Sequence, residues 1–147
     1  MTELVIFRYL HFIAVFAIAG AIFAEQFLIS NSMRRKEIKL ISKIDVIYGI
    51  GVLIALAVGI VLWFWVGKPA SLYSRNWIFH TKLTMFIGLA LLSIYPISFF
   101  YKNRKGNDLD SIITVPKTVI LVLRIELLLI IIMPALASMV PIGIGIF

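Results

Sequence analysis

The sequence contains no cysteine. That absence excludes disulfides, iron–sulfur clusters and thiolate zinc sites. Acidic residues are few, seven against fourteen lysines and arginines, and histidine occurs only twice. Charged residues make up 14% of the chain, while hydrophobic residues make up 62%. Mean hydropathy is +1.07. No soluble domain of 147 residues needs so much apolar surface. The composition predicts one small integral membrane domain over 1–147, with no soluble module. The net charge of +7 then speaks for basic loops that orient a membrane protein, and nucleic acid is not expected as a partner.

Four apolar runs stand out, at about 4–29, 44–66, 77–100 and 115–142. Each reaches the roughly 20 residues a helix needs to cross about 30 Å of hydrocarbon. Lipid cannot satisfy the backbone of lone hairpins or open strands. The expected fold is therefore an all-α, integral membrane four-helix bundle in contact with the lipid bilayer. The first connection carries Arg34, Arg35, Lys36, Lys39 and Lys43. The third carries Lys102, Arg104 and Lys105, with Lys117 just beyond. The middle one has only Lys68 and Arg75. The positive-inside rule puts the first and third connections in the cytoplasm and both termini on the extracytoplasmic side. The first run opens on "MTEL", and its positive charges follow it. That is the reverse of a cleavable signal, so it reads as a retained helix. Small residues spaced four apart predict close helix contacts at Gly51, Ala55 and Gly59, at Ala17 and Ala21, and at Gly20 and Ala24.

With the charges of the connections set aside, a short list of acidic, basic and histidine residues remains in these runs: Arg8, His11, Glu25, Asp45, His80, Lys82, Arg124 and Glu126. A charge near the bilayer centre costs at least ~3 kcal/mol, so such groups usually face the bundle interior and pair. Arg124 and Glu126 lie two apart, on roughly opposite sides of their helix. Arg124 is expected to meet Glu25 or Asp45 across the bundle. Asp45 and Tyr48 stand in "DVIYG" and suit a proton relay. Asp45 equally suits the positive end of a helix dipole. A structural ion network is the plainer reading of the same residues.

The stretch "NWIFHTKL" from Asn76 to Leu83 places His80 and Lys82 at the start of an apolar run. His11 and His80 lie at a similar depth below the same side of the bilayer. Facing helices can supply two axial imidazoles to a b-type haem. Arg8, Lys68, Arg75 and Lys82 would then hold its propionates. On this reading His80 turns inward and Lys82 turns away. The plainer alternative is an interfacial anchor, with Lys82 snorkelling and Trp63, Trp65, Tyr73 and Trp77 forming an aromatic belt.

Three segments carry a resemblance. "YLHFIAVFAIAGAIFAEQFLI", "KIDVIYGIGVLIALAVGIVLWFWVGKPASLYSRNWIFHTKL" and "LRIELLLIIIMPALASM" resemble a bacterial family of four-helix membrane proteins of unknown function. This implies the bacterial cytoplasmic (inner) membrane, with several passes. A more distant likeness is to the HemJ-type protoporphyrinogen oxidases. It rests on Leu10 and His11, on Trp77 with His80 and Lys82, and on Arg124, Glu126 and Pro134. That likeness implies His11 as a haem ligand and Lys82 as a functional cation.

Three functions remain open from sequence. The first is a haem-b or porphyrin redox protein, a membrane oxidoreductase with quinone or porphyrin as partner. There Lys82, Arg124 and Glu126 would be catalytic, His11 and His80 would bind iron, and Glu25, Asp45 and Tyr48 would form the proton network. The second is a binding or transport module for a small anion or protons. The third is a structural or accessory subunit with no ligand; a homo-oligomer is compatible with each of the three.

Overall fold

A computed structural model describes every residue, Met1–Phe147. Helix α1 spans Thr2–Leu28, and strand β1, Ser32–Arg34, leads into α2, Arg35–Val61. A π-helical turn, Leu62–Val66, extends α2. A short helix α3, Ala70–Ser74, lies in the middle connection. Helix α4 runs Trp77–Asn103, strand β2 is Ile112–Thr114, and α5 is Lys117–Met139, closed by a 3-10 turn at Val140–Ile142. Four helices are long and apolar enough to cross a membrane. The chain is a multi-pass, all-α membrane bundle.

The second helix starts nine residues before its apolar run. Hydropathy marks only the part that lies in hydrocarbon, whereas the helix begins where its first N–H groups find acceptors. The Glu37 carboxylate accepts from the Arg34 N–H at 2.7 Å. The N–H groups of Arg35 and Lys36 donate to the carbonyls of Ser111 and Leu109 at 3.0 and 3.1 Å. The third connection thus caps the helix that follows the first. Arg35, Lys36, Lys39 and Lys43 ride on a helix and not on a loop.

Helix α1 packs most closely on α2, and α4 on α5; α2 also meets α4, and α1 meets α5. This is a closed square with α1 and α4 on one diagonal. The α1–α2 contact is tight because Gly51 carries no side chain. A Cβ there would lie 3.0 Å from Ile18 Cγ1 and 3.2 Å from the Ala14 carbonyl oxygen. Gly51 and Ala55 are buried, and Gly59 lies against His11. The expected row on α2 therefore faces α1. Of the expected Gly20 and Ala24 row, Gly20 does not face a helix: it is exposed, and a Cβ there would have nothing within 4 Å, while Ala24 is half-buried. The inward face of α1 is instead Ala14, Ile18, Ala21, Ile22 and Glu25. At about 100° per residue Gly20 lies well round the helix from the centre of that face, so it looks to lipid.

Each end of the bundle is closed by its own device. At the end of the first and third connections, β1 and β2 pair antiparallel with Met33 opposite Ile113. Met33 and Val115 are buried there with Ile38, Ile41, Phe100 and Leu123. Three-residue strands are too short to show a period in sequence, so this sheet is not legible from the chain alone. At the opposite end, Ile78, Phe79 and Val140 form a smaller apolar cluster.

Candidate functional site

Four oxygen-bearing side chains from three helices converge in the bundle. Glu25 comes from α1, Asp45 and Tyr48 from α2, and Glu126 from α5. All four are buried, with Glu25 and Glu126 each only 1% exposed. Asp45 and Tyr48 are three apart and share one helix face. Ser93 of α4 is buried beside Tyr48, its hydroxyl donating to the Ala90 carbonyl at 2.7 Å. The Glu25 carboxyl lies within hydrogen-bonding reach of Asp45. Glu126 is close enough to both carboxyls and to Tyr48 for its charge to act on them.

Nothing in the protein neutralises this cluster. The ion pairs are Arg34 with Asp110 and Lys36 with Asp110, both exposed. Glu25 Oε1, Asp45 Oδ2, Tyr48 Oη and Glu126 Oε1 are buried without a hydrogen-bond partner. A buried carboxylate without a counter-charge is costly. An ionised carboxyl can only accept, so two in contact attract each other only with a proton between them. The arrangement is suited to holding protons. No group of three histidines, cysteines or carboxylates converges closely enough to hold a metal ion.

Two expectations about this region change. Arg124 meets neither Glu25 nor Asp45: it is exposed and forms no ion pair. Leu123 and Glu126 take the inward face of α5, and a residue two before Glu126 points the other way. Asp45 does not cap its helix, because α2 begins ten residues earlier at Arg35. It stands inside the third turn, beyond the reach of the N-terminal dipole.

The "NWIFHTKL" stretch is rotated from expectation. The inward stripe of α4 runs through Ile78, Phe79, Leu89, Ser93, Pro96 and Phe100. Lys82 falls on that stripe, three residues after Phe79, with its ammonium 5.5 Å from the Phe79 ring centroid. His80 falls off it and is exposed, its Nε2 2.9 Å from the Ser74 carbonyl oxygen. His11 is half-buried and packs on α2 against Gly59. The lysine turns inward and the histidine outward. His11 and His80 do not form an opposed pair, so these residues do not fit a bis-histidine haem.

The expected propionate cations also have other duties. Arg8 is exposed. Lys68 donates to the Pro141 carbonyl at 3.2 Å, and Arg75 Nε to the Phe147 carbonyl at 3.1 Å. Both hold the segment after α5. Its main anchor is Asn76, which is fully buried. The Asn76 side chain accepts from the Phe79 N–H at 3.1 Å and donates to the Ile144 carbonyl at 2.8 Å. Its position just before the helix is a readable N-cap signal. Its grip on the final segment is not readable. A side chain at Gly145, whose φ is +88°, would strike Asn76 and Ile78.

A family model described as a predicted membrane protein, DUF2214, matches residues 4–145. No curated protein and no solved structure matches the chain.

Proposed function

The chain belongs to the DUF2214 family of predicted membrane proteins, and from that premise we propose that it is a proton-binding module that takes up and passes protons within the membrane. One observation carries this reading: Glu25, Asp45, Tyr48 and Glu126 are buried together without a cation, and each keeps a buried oxygen that no hydrogen bond satisfies. Intramembrane carboxyls of this kind serve proton relays. Apolar layers on both sides, around Ile18 and Leu89 and around Met33 and Phe100, keep the cluster from bulk water. We place the protein in a bacterial cytoplasmic membrane with the strand-paired, basic end inside, as the loop charges favour. Cysteines introduced at Lys36 and Ser71 are expected to label from opposite sides of sealed cells; labelling from one side would reverse that placement.

The proton reading is tested in proteoliposomes loaded with a pH-sensitive dye. An acid pulse outside should acidify vesicles bearing the parent faster than empty ones. Glu25→Gln, Asp45→Asn and Glu126→Gln should each slow this by about tenfold or more, the scale of a lost proton-transfer group. Arg124→Gln, which alters an outward-facing residue, should behave like the parent. Parent vesicles no leakier than empty ones would overturn the reading.

A second reading, haem or porphyrin redox, is favoured by one observation. His11 and Lys82, the two residues that the HemJ likeness brings forward, are both partly buried, whereas His80 is exposed. A visible spectrum of protein made with ample haem tests it. A Soret band lost in His11→Ala but kept in His80→Ala would support it.

A further inference from the structure

We propose that Arg35, Lys39 and Arg104 form a binding site for the phosphate group of an anionic phospholipid, at the strand-paired end of the bundle. The site uses none of the residues of the proton reading.

The three cations gather on one short stretch of the third connection, residues 104–106. The Arg35 guanidinium packs directly on Gly106. A Cβ there would lie 2.6 Å from Arg35 Cζ and 3.0 Å from Nε. The φ of Gly106, +132°, is one that glycine tolerates. Lys39 lies one turn after Arg35 on the same face of α2, and it donates to the Gly106 carbonyl at 3.4 Å. Arg104, two residues before Gly106, reaches back to α2, its Nη1 3.4 Å from Ser42 Oγ. Its guanidinium lies 4.3 Å from the Tyr101 ring centroid.

None of the three has a carboxylate oxygen within 4.0 Å. The acidic groups at this end are engaged elsewhere. Asp110 pairs with Arg34 and Lys36, Glu37 accepts from the Arg34 N–H, and Asp108 accepts from the Asp110 N–H. Arg35 donates from Nη1 to the Asp108 carbonyl at 3.0 Å, and its Nε is buried without a partner. Neutral acceptors leave the like charges repelling one another. A phosphate group removes that repulsion and accepts from several N–H donors at once, bidentate from a guanidinium.

The surroundings assign this phosphate to lipid. Leu40, beside Lys39, is exposed, and so are Leu109 and Ile112. The Leu109 carbonyl accepts from the Lys36 N–H, and Ile112 pairs with Arg34. Apolar side chains thus alternate with cations at the first turns of α2, as they do at a bilayer interface. An anionic headgroup suits the site better than a zwitterionic one, which would bring its own ammonium among the cations.

The test titrates purified protein in a neutral detergent with phosphatidylglycerol, and in parallel with phosphatidylcholine and with sodium phosphate, all at constant ionic strength. Phosphatidylglycerol should raise the melting midpoint of the parent by about 5 °C or more at a hundredfold excess over Kd. The other two should not. Arg104→Gln and Lys39→Gln should each need about fivefold more phosphatidylglycerol for the same shift, the scale of one cation near a charged membrane. Lys39→Gln releases only an exposed carbonyl, so in phosphatidylcholine it should melt with the parent. Arg35→Lys keeps the charge but loses the planar fork, and should also weaken the response. Lys36→Gln removes the same charge from the same end, but from a lysine paired with Asp110. It should titrate like the parent. Equal losses in Lys36→Gln and Arg104→Gln would mean diffuse surface charge and overturn the site. A midpoint indifferent to phosphatidylglycerol would overturn it too, as would an equal shift with phosphatidylcholine or with sodium phosphate alone.

Discussion

Gly51→Leu should lower the melting midpoint in detergent by about 5 °C or more, the shift expected when overpacking costs about 1–3 kcal/mol. A Cβ at this site already meets Ile18 Cγ1 at 3.0 Å and the Ala14 carbonyl at 3.2 Å. Part of that obstacle is backbone, which cannot rotate aside. The four-atom leucine side chain therefore forces α1 away from α2, and that contact aligns Glu25 with Asp45. Proton uptake should fall with stability. Gly20→Leu supplies the contrast on the same helix pair, because Gly20 has open space around it. It should stay within about 0.5 kcal/mol of the parent. Equal melting of the Gly51 variant and the parent would mean that the two helices do not meet as described.

Asn76→Leu should be the second large loss, about 2–4 kcal/mol. The substitution removes an N-cap, strands the buried Phe79 N–H and releases the Ile144 carbonyl. Losing a cap costs ~1 kcal/mol and an unsatisfied buried group about 1–3 kcal/mol. The final segment should detach with it, since the Trp77 N–H also donates to the Gly145 carbonyl at 3.0 Å. Faster amide exchange over residues 143–147 reads this directly. His80→Leu, four residues away, alters an exposed side chain and should leave both stability and exchange nearly unchanged. If the two variants behaved alike, Asn76 would not be the anchor.

The two contrasts show how far the chain can be read. Gly51, Ala55 and Gly59 could be recognised as a contact row because small residues at that spacing have a packing meaning in lipid. Gly20 and Ala24 carry the same pattern, yet Gly20 faces outward and Ala24 is only half-buried. Glu25, Asp45, Tyr48 and Glu126 could be picked out because ionisable or hydroxyl groups are conspicuous in apolar runs. Their convergence could not, since they come from three separate helices. Arg124 looked like their partner for the same reason they were noticed, yet it points away. Asn76 was legible as a helix start and not as a clasp. Ser93 carried no signal in sequence.

The sequence by itself determined that this is a membrane protein with four crossings and basic first and third connections. Those properties follow from transfer free energy summed along each run and from the thickness of hydrocarbon. Tertiary structure alone decided the rotation of each helix about its axis. In water an apolar stripe sets that rotation, because only one side can be buried. In lipid both sides of these helices are apolar, so the periodicity is silent and packing between neighbours chooses the face. That choice turned Lys82 inward and His80 outward, brought the three carboxyls together, and left Arg124 outside.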